Sequence, residues 1–118
     1  MADLKTELTE AGVDYEGALE RFMGRDDLYR KFIFKFLDDK NMEYLEEHLK
    51  NEDVEEALKA AHTIKGVTGN LGFDNLFNVD IPLVEGLRAG SMDGAWERFE
   101  DLKKMYDETC EIIKRYAE

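Results

Sequence analysis

The 118-residue sequence contains one cysteine, one proline, one tryptophan and two histidines. The lone Cys110 cannot form a disulfide within the chain, which fits a reducing, cytoplasmic compartment. Two histidines and one cysteine fall short of an ordinary structural zinc site. No run approaches the roughly 18 apolar residues of a membrane span. The acidic start Met1-Ala2-Asp3-Leu4 lacks a signal-peptide pattern. Positive charge is also scarce: 16 Lys and Arg face 28 Asp and Glu, for a net charge of −12. A field of that sign repels phosphate backbones and anionic lipid, so neither nucleic acid nor a membrane surface is an expected partner.

What is present is packing material. The chain is 43% hydrophobic and 11% aromatic, too apolar to stay unfolded and long enough for one domain spanning residues 1–118 with a real core. No stretch alternates apolar with polar in the manner of a half-buried strand, and Gly and Asp mark the breaks between helical runs. The pattern predicts a short helix near Asp3–Ala11, ended by Gly12. A second is predicted from about Tyr15 to Met23, capped by Asp14 and stopped by Gly24. A long helix follows over roughly Asp26–Lys50. The next starts at Asp53, with Glu56 placed to reach back as a capping box, and ends at Leu71 before Gly72. Pro82 predicts a short helix near Asp74–Asn78, a break, and a second piece opening near Ile81 or Pro82. A last helix spans about Asp93–Tyr116, with Phe99, Leu102, Tyr106, Thr109, Ile113 and Tyr116 forming one seam at bundle spacing. Long helices with short connectors pack antiparallel. The expected fold is therefore all-α, an antiparallel four-helix bundle with one or two short N-terminal helices laid against it. Phe32, Phe36, Trp96, Phe99 and Tyr106 are expected in the core or at its edge, and Cys110 as a small apolar filler.

The chemistry concentrates on one helix. At 100° per residue, Ala57, Ala61, Ile64, Thr68 and Leu71 gather on the buried side of Asp53–Leu71. His62 lies well away from them, sharing its face with Glu55, Leu58, Lys59, Lys65, Gly66 and Gly69. The imidazole is expected to point into solvent. Taken alone, such a histidine is an ordinary surface residue. Its surroundings are less ordinary. Gly66 lies one turn after it and Gly69 two turns on, and each glycine inside a helix costs about 0.8–1 kcal/mol relative to Ala. Close approach by another body would compensate. Leu58 is apolar at a position expected to be wet, and Lys59 and Lys65 flank the ring. A neutral imidazole nitrogen is a good nucleophile, and imidazole as a class is largely neutral near neutral pH. It could accept a phosphoryl group, a reaction that asks mainly for positioning and charge stabilisation. His48 has no comparable setting and reads as structural.

The run Ala60-Ala61-His62-Thr63-Ile64-Lys65-Gly66, with Gly69 and Gly72 beyond it, resembles the signature of histidine-containing phosphotransfer (HPt) domains. The resemblance extends over nearly the whole chain. It implies a four-helix-bundle carrier that takes a phosphoryl group from a receiver-domain aspartyl phosphate and passes it to another receiver. It implies that His62 is phosphorylated, that Lys65 stabilises the phosphoryl charge, and that Gly66 leaves room for the receiver. Lys59, Gly69 and Leu58 join them as candidate binding residues. The expected partners are receiver domains of response regulators and of hybrid histidine kinases. The carrier has no kinase activity and no cofactor of its own, Mg²⁺ being supplied by the receiver, and is expected to be a cytoplasmic monomer. Pro82 departs from the family pattern, falling where an uninterrupted helix is usual.

Other classes fit less well. A ferritin-like di-iron bundle needs Glu three residues before each histidine, where this chain has Lys59 and Leu45. A catalytic histidine kinase needs a nucleotide-binding domain for which 118 residues leave no room. A helical interaction module that transfers nothing is the remaining alternative. The initiating Met favours a stand-alone protein over an excised one.

Overall fold

The computed structural model describes residues 3–117. Among them it forms seven α-helices and no strand: α1 Leu4–Glu10, α2 Tyr15–Arg21, α3 Asp26–Lys35, α4 Asn41–Lys50, α5 Val54–Leu71, α6 Asp74–Arg88 and α7 Ala95–Tyr116. Helices α4 to α7 make the bundle. Helix α5 packs against α4 and α6, α6 against α7, and α7 back against α4. Helix α1 lies on α7, and α2 and α3 cover the C-terminal end of α5. The core holds Leu45, Leu49, Ala57, Ala61, Ile64, Leu76, Leu83, Leu87, Phe99, Leu102 and Ile113, all buried. Within the predicted seam Tyr106 and Tyr116 are half-buried. Phe36 and Phe99 are buried, whereas Phe32 and Trp96 remain exposed.

The structure corrects three local expectations. The helix predicted over Asp26–Lys50 is two helices, separated by a 3-10 turn at Phe36–Asp38 and an extended Asp39 with φ −69° and ψ 134°. The Asp39 carboxylate accepts from the backbone N–H of Asn41 at 2.8 Å, so a short acidic side chain competes with the helical ladder and starts α4 instead. The break predicted near Pro82 does not occur; α6 is continuous through it. Pro82 and Asn78, whose carbonyl the ring leaves without its usual donor, are both exposed, so water can solvate the freed group. The capping box on α5 is half-formed. Asp53 accepts from the Glu56 N–H at 3.2 Å, while the Asp53 N–H donates to the His48 carbonyl at 2.9 Å. Nothing is left there for Glu56, which pairs instead with Lys59.

The lower end of α5 is fixed from several sides. Gly72 adopts φ 74°, and the Phe73 N–H reaches the Thr68 carbonyl at 2.9 Å, closing the helix with a Schellman motif. A Cβ on Gly72 would meet the Asp14 carbonyl oxygen at 2.6 Å, so glycine is required for space as well as for backbone angle. Arg21 donates to the carbonyls of Gly69 (2.8 Å) and Asn70 (3.1 Å), and the Tyr29 hydroxyl donates to the Leu71 carbonyl at 2.5 Å. These bonds satisfy carbonyls that a helix end leaves without partners and hold α5 in register with α2 and α3.

Candidate functional site

Helix α5 presents a dry face and an open face. Ala57, Ala60, Ala61, Ile64, Thr68 and Leu71 are buried. Thr68 satisfies its hydroxyl by donating to the Ile64 carbonyl at 2.8 Å, so it enters the core without an orphaned polar atom. His62 and Thr63 are exposed on the opposite side, as is Gly66 one turn further on. A Cβ at Gly66 would find no atom within 4 Å outside its own helix turn. The bare backbone beside the ring is open space.

The two lysines differ. Lys59 is exposed and paired with Glu56 at 2.8 Å, and that carboxylate holds its ammonium above the ordinary value. Lys65 is half-buried and makes no ion pair among the described residues. One turn beyond His62, an unpaired ammonium can turn towards an anion on the ring, whereas Lys59 would first have to leave Glu56.

Two other candidate residues are engaged inside the fold. A Cβ at Gly69 would meet two ring carbons of Phe77 on α6 at 3.3 Å. That glycine accommodates α6. Leu58 is partly buried and packed against the core, so the wet apolar position expected from the helical wheel is half covered. His48, on α4, lines a cleft with Asn41, Tyr44, Glu56, Lys59 and Thr63.

Asp80 is not among the candidate residues that the sequence pattern marks. It lies on α6, buried with 0% exposure, and neither carboxylate oxygen has a hydrogen-bond partner. Burial raises its pKa to about 7, while the field of Lys65 pulls it down. The signal was in the spacing: Leu76, Asp80, Leu83 and Leu87 follow a 4-3-4 pattern, which puts a carboxylate on an apolar stripe.

Among the described residues, no group of three or more His, Cys, Asp or Glu could hold a metal ion, and no helix is long and apolar enough to cross a membrane. A family model described as Hpt domain matches residues 34–111, from α3 into α7. No curated protein and no solved structure matches the chain significantly. The matched segment contains His62, Lys65, Gly66 and Asp80, and leaves α1, α2 and most of α3 outside.

Proposed function

The chain belongs to the Hpt domain family, and on that premise we propose that His62 is the phosphoryl carrier of a two-component relay. Hpt domains are phosphocarriers that exchange phosphoryl groups with receiver domains. The observation that carries the assignment to His62 is its setting: an exposed imidazole with the side-chain-free Gly66 one turn on and the unpaired Lys65 between them.

The receiver brings its aspartyl phosphate and its own Mg²⁺. A neutral ring nitrogen of His62 attacks phosphorus in line. The P–N bond forms as the P–O bond to the receiver's aspartate breaks, and that carboxylate is the leaving group. No base on this chain is needed for the attack. Lys65 supplies positive charge to the equatorial oxygens, which bear the charge of a loose transition state. Gly66 lets the receiver's backbone approach the ring. Lys59 and the exposed part of Leu58 border the contact. The same steps in reverse hand the group to a second receiver, so the carrier needs no kinase chemistry of its own.

The test is to incubate the protein with a phosphorylated receiver and Mg²⁺ and follow acid-labile label. Label is expected on the wild-type chain and absent from His62→Gln. Label retained by His62→Gln rules the assignment out.

A further inference from the structure

Asp80 is the one buried side chain whose polar atoms lack partners among the described residues. An unpaired carboxyl in an apolar seam is costly unless it is neutral or answered by charge. The register of α5 and α6 shows what answers it. The two helices run antiparallel through the short Gly72-Phe73 connection, and Gly69 meets Phe77 across the seam. One turn back along α5 and one turn on along α6 bring Lys65 level with Asp80, a turn away from His62. Among the described residues, the helices that pack on α6 are α5 and α7. From α7, the charged side chains at this level, Asp101, Lys104 and Glu108, are exposed around an outer cleft with Val79 and Met105. On α6 itself Asp74, Glu85 and Arg88 are exposed and lie beyond the adjacent turn. The charge whose field acts on Asp80 is that of Lys65.

We propose that Asp80 is a positioning residue for Lys65: ionised, it draws the ammonium towards the α5–α6 seam; neutral, it leaves the ammonium to the phosphoryl group on His62. This rests on the reading of His62 as the phosphoacceptor. Burial places the protonation change near pH 7, so both forms are accessible under ordinary conditions. A phosphoryl group arriving on His62 adds negative charge one turn away. That charge favours the protonated carboxyl, the proton being taken from solvent, so loading the carrier and releasing Lys65 are linked.

The first experiment uses the unphosphorylated chain with its aspartate carboxyls labelled with ¹³C. Asp80 is expected to titrate near pH 7. Lys65→Met is expected to move that midpoint up by about 0.5 pH unit, a roughly threefold gain in proton affinity. An unchanged midpoint overturns the coupling. The second experiment uses phosphoramidate as a small phosphoryl donor, whose P–N bond to ammonia breaks as the bond to the ring forms. Asp80→Asn is expected to speed labelling of His62 about threefold at pH 8 and to leave it unchanged at pH 6, where Asp80 is already neutral. In a Lys65→Met background Asp80→Asn is expected to change nothing at either pH. The same gain at both pH values, or a gain that survives Lys65→Met, overturns the competition. No label on wild-type His62 overturns the phosphoacceptor reading and the competition with it, while the titration separately decides whether Asp80 and Lys65 are coupled.

Discussion

Gly66 and Gly69 lie less than a turn apart on α5, yet they face different surroundings. A methyl group added at Gly66 would meet nothing within 4 Å, and one added at Gly69 would press on the Phe77 ring at 3.3 Å. The open face of α5 and its α6 seam thus use the same residue type for opposite ends. In the seam, absence of a side chain lets two helices come close. On the open face nothing among the described residues uses the absence, and the helix bears its cost of about 0.8–1 kcal/mol without an internal return. The polar residues divide in the same way. Among the described residues, Lys65 on the half-open side has no ion-pair partner and Asp80 in the seam has no hydrogen-bond partner. What looks unfavourable for the fold alone lies within a turn or two of His62.

Four substitutions would break or sharpen this contrast. The largest effect is expected from Asp80→Asn, read as stability against pH. Asp80 has a folded pKa raised from 3.8 to about 7, so the native state binds the proton more tightly than the unfolded chain does. The wild type therefore loses stability as pH rises from about 4 to about 7, by an amount on the order of 2–4 kcal/mol. Asp80→Asn has no such charge to bury, and chemical denaturation at pH 4.5 and pH 8 should show most of that pH-dependent loss removed. Parallel pH dependence in the two proteins would place the proton elsewhere. Gly69→Leu comes next. Forcing a side chain against Phe77 should cost about 1–3 kcal/mol in the same assay, and an unchanged midpoint would mean that α6 moves away freely.

Gly66→Ala should go the other way. Its Cβ meets no neighbour, so it should gain about 0.8–1 kcal/mol of helix propensity. A loss of stability would mean that the open face is not open. The smallest effect is expected from Lys59→Ala. Its ammonium is exposed and tied to Glu56, so transfer from a phosphorylated receiver should slow much less than in Lys65→Ala. Equal slowing would put both lysines in the mechanism.

The sequence showed most of the fold because strong helical periodicity is a direct image of burial. The stripe on α5 and the seam on α7 could be read residue by residue. It misled where periodicity and local chemistry disagree. Phe36, Leu37 and Leu45 continue the apolar stripe across a real break, because the Asp39 side chain interrupts the ladder without interrupting the packing. Pro82 looked like a break and is none, because its missing bond falls on the wet side of α6. For the candidate site, the positions of His62 and Gly66 on an outward face were visible from angles alone. The engagement of Gly69 with Phe77 was not, because it depends on how a second helix is registered. Asp80 was overlooked for a related reason: a carboxylate is usually assigned to water, and only its place on the stripe of α6 shows otherwise.

On the proposed function, a protein partner reaches His62 across backbone that Gly66 leaves bare. Gly66→Leu tests this when two donors are compared on the same variant. Phosphoramidate is small enough to pass a leucine side chain, and a phosphorylated receiver is not. Near-normal labelling of His62 by phosphoramidate is expected, with at least a tenfold loss of transfer from the receiver, roughly 1.4 kcal/mol in the barrier. Equal rates from the receiver to Gly66→Leu and to the wild type would contradict it.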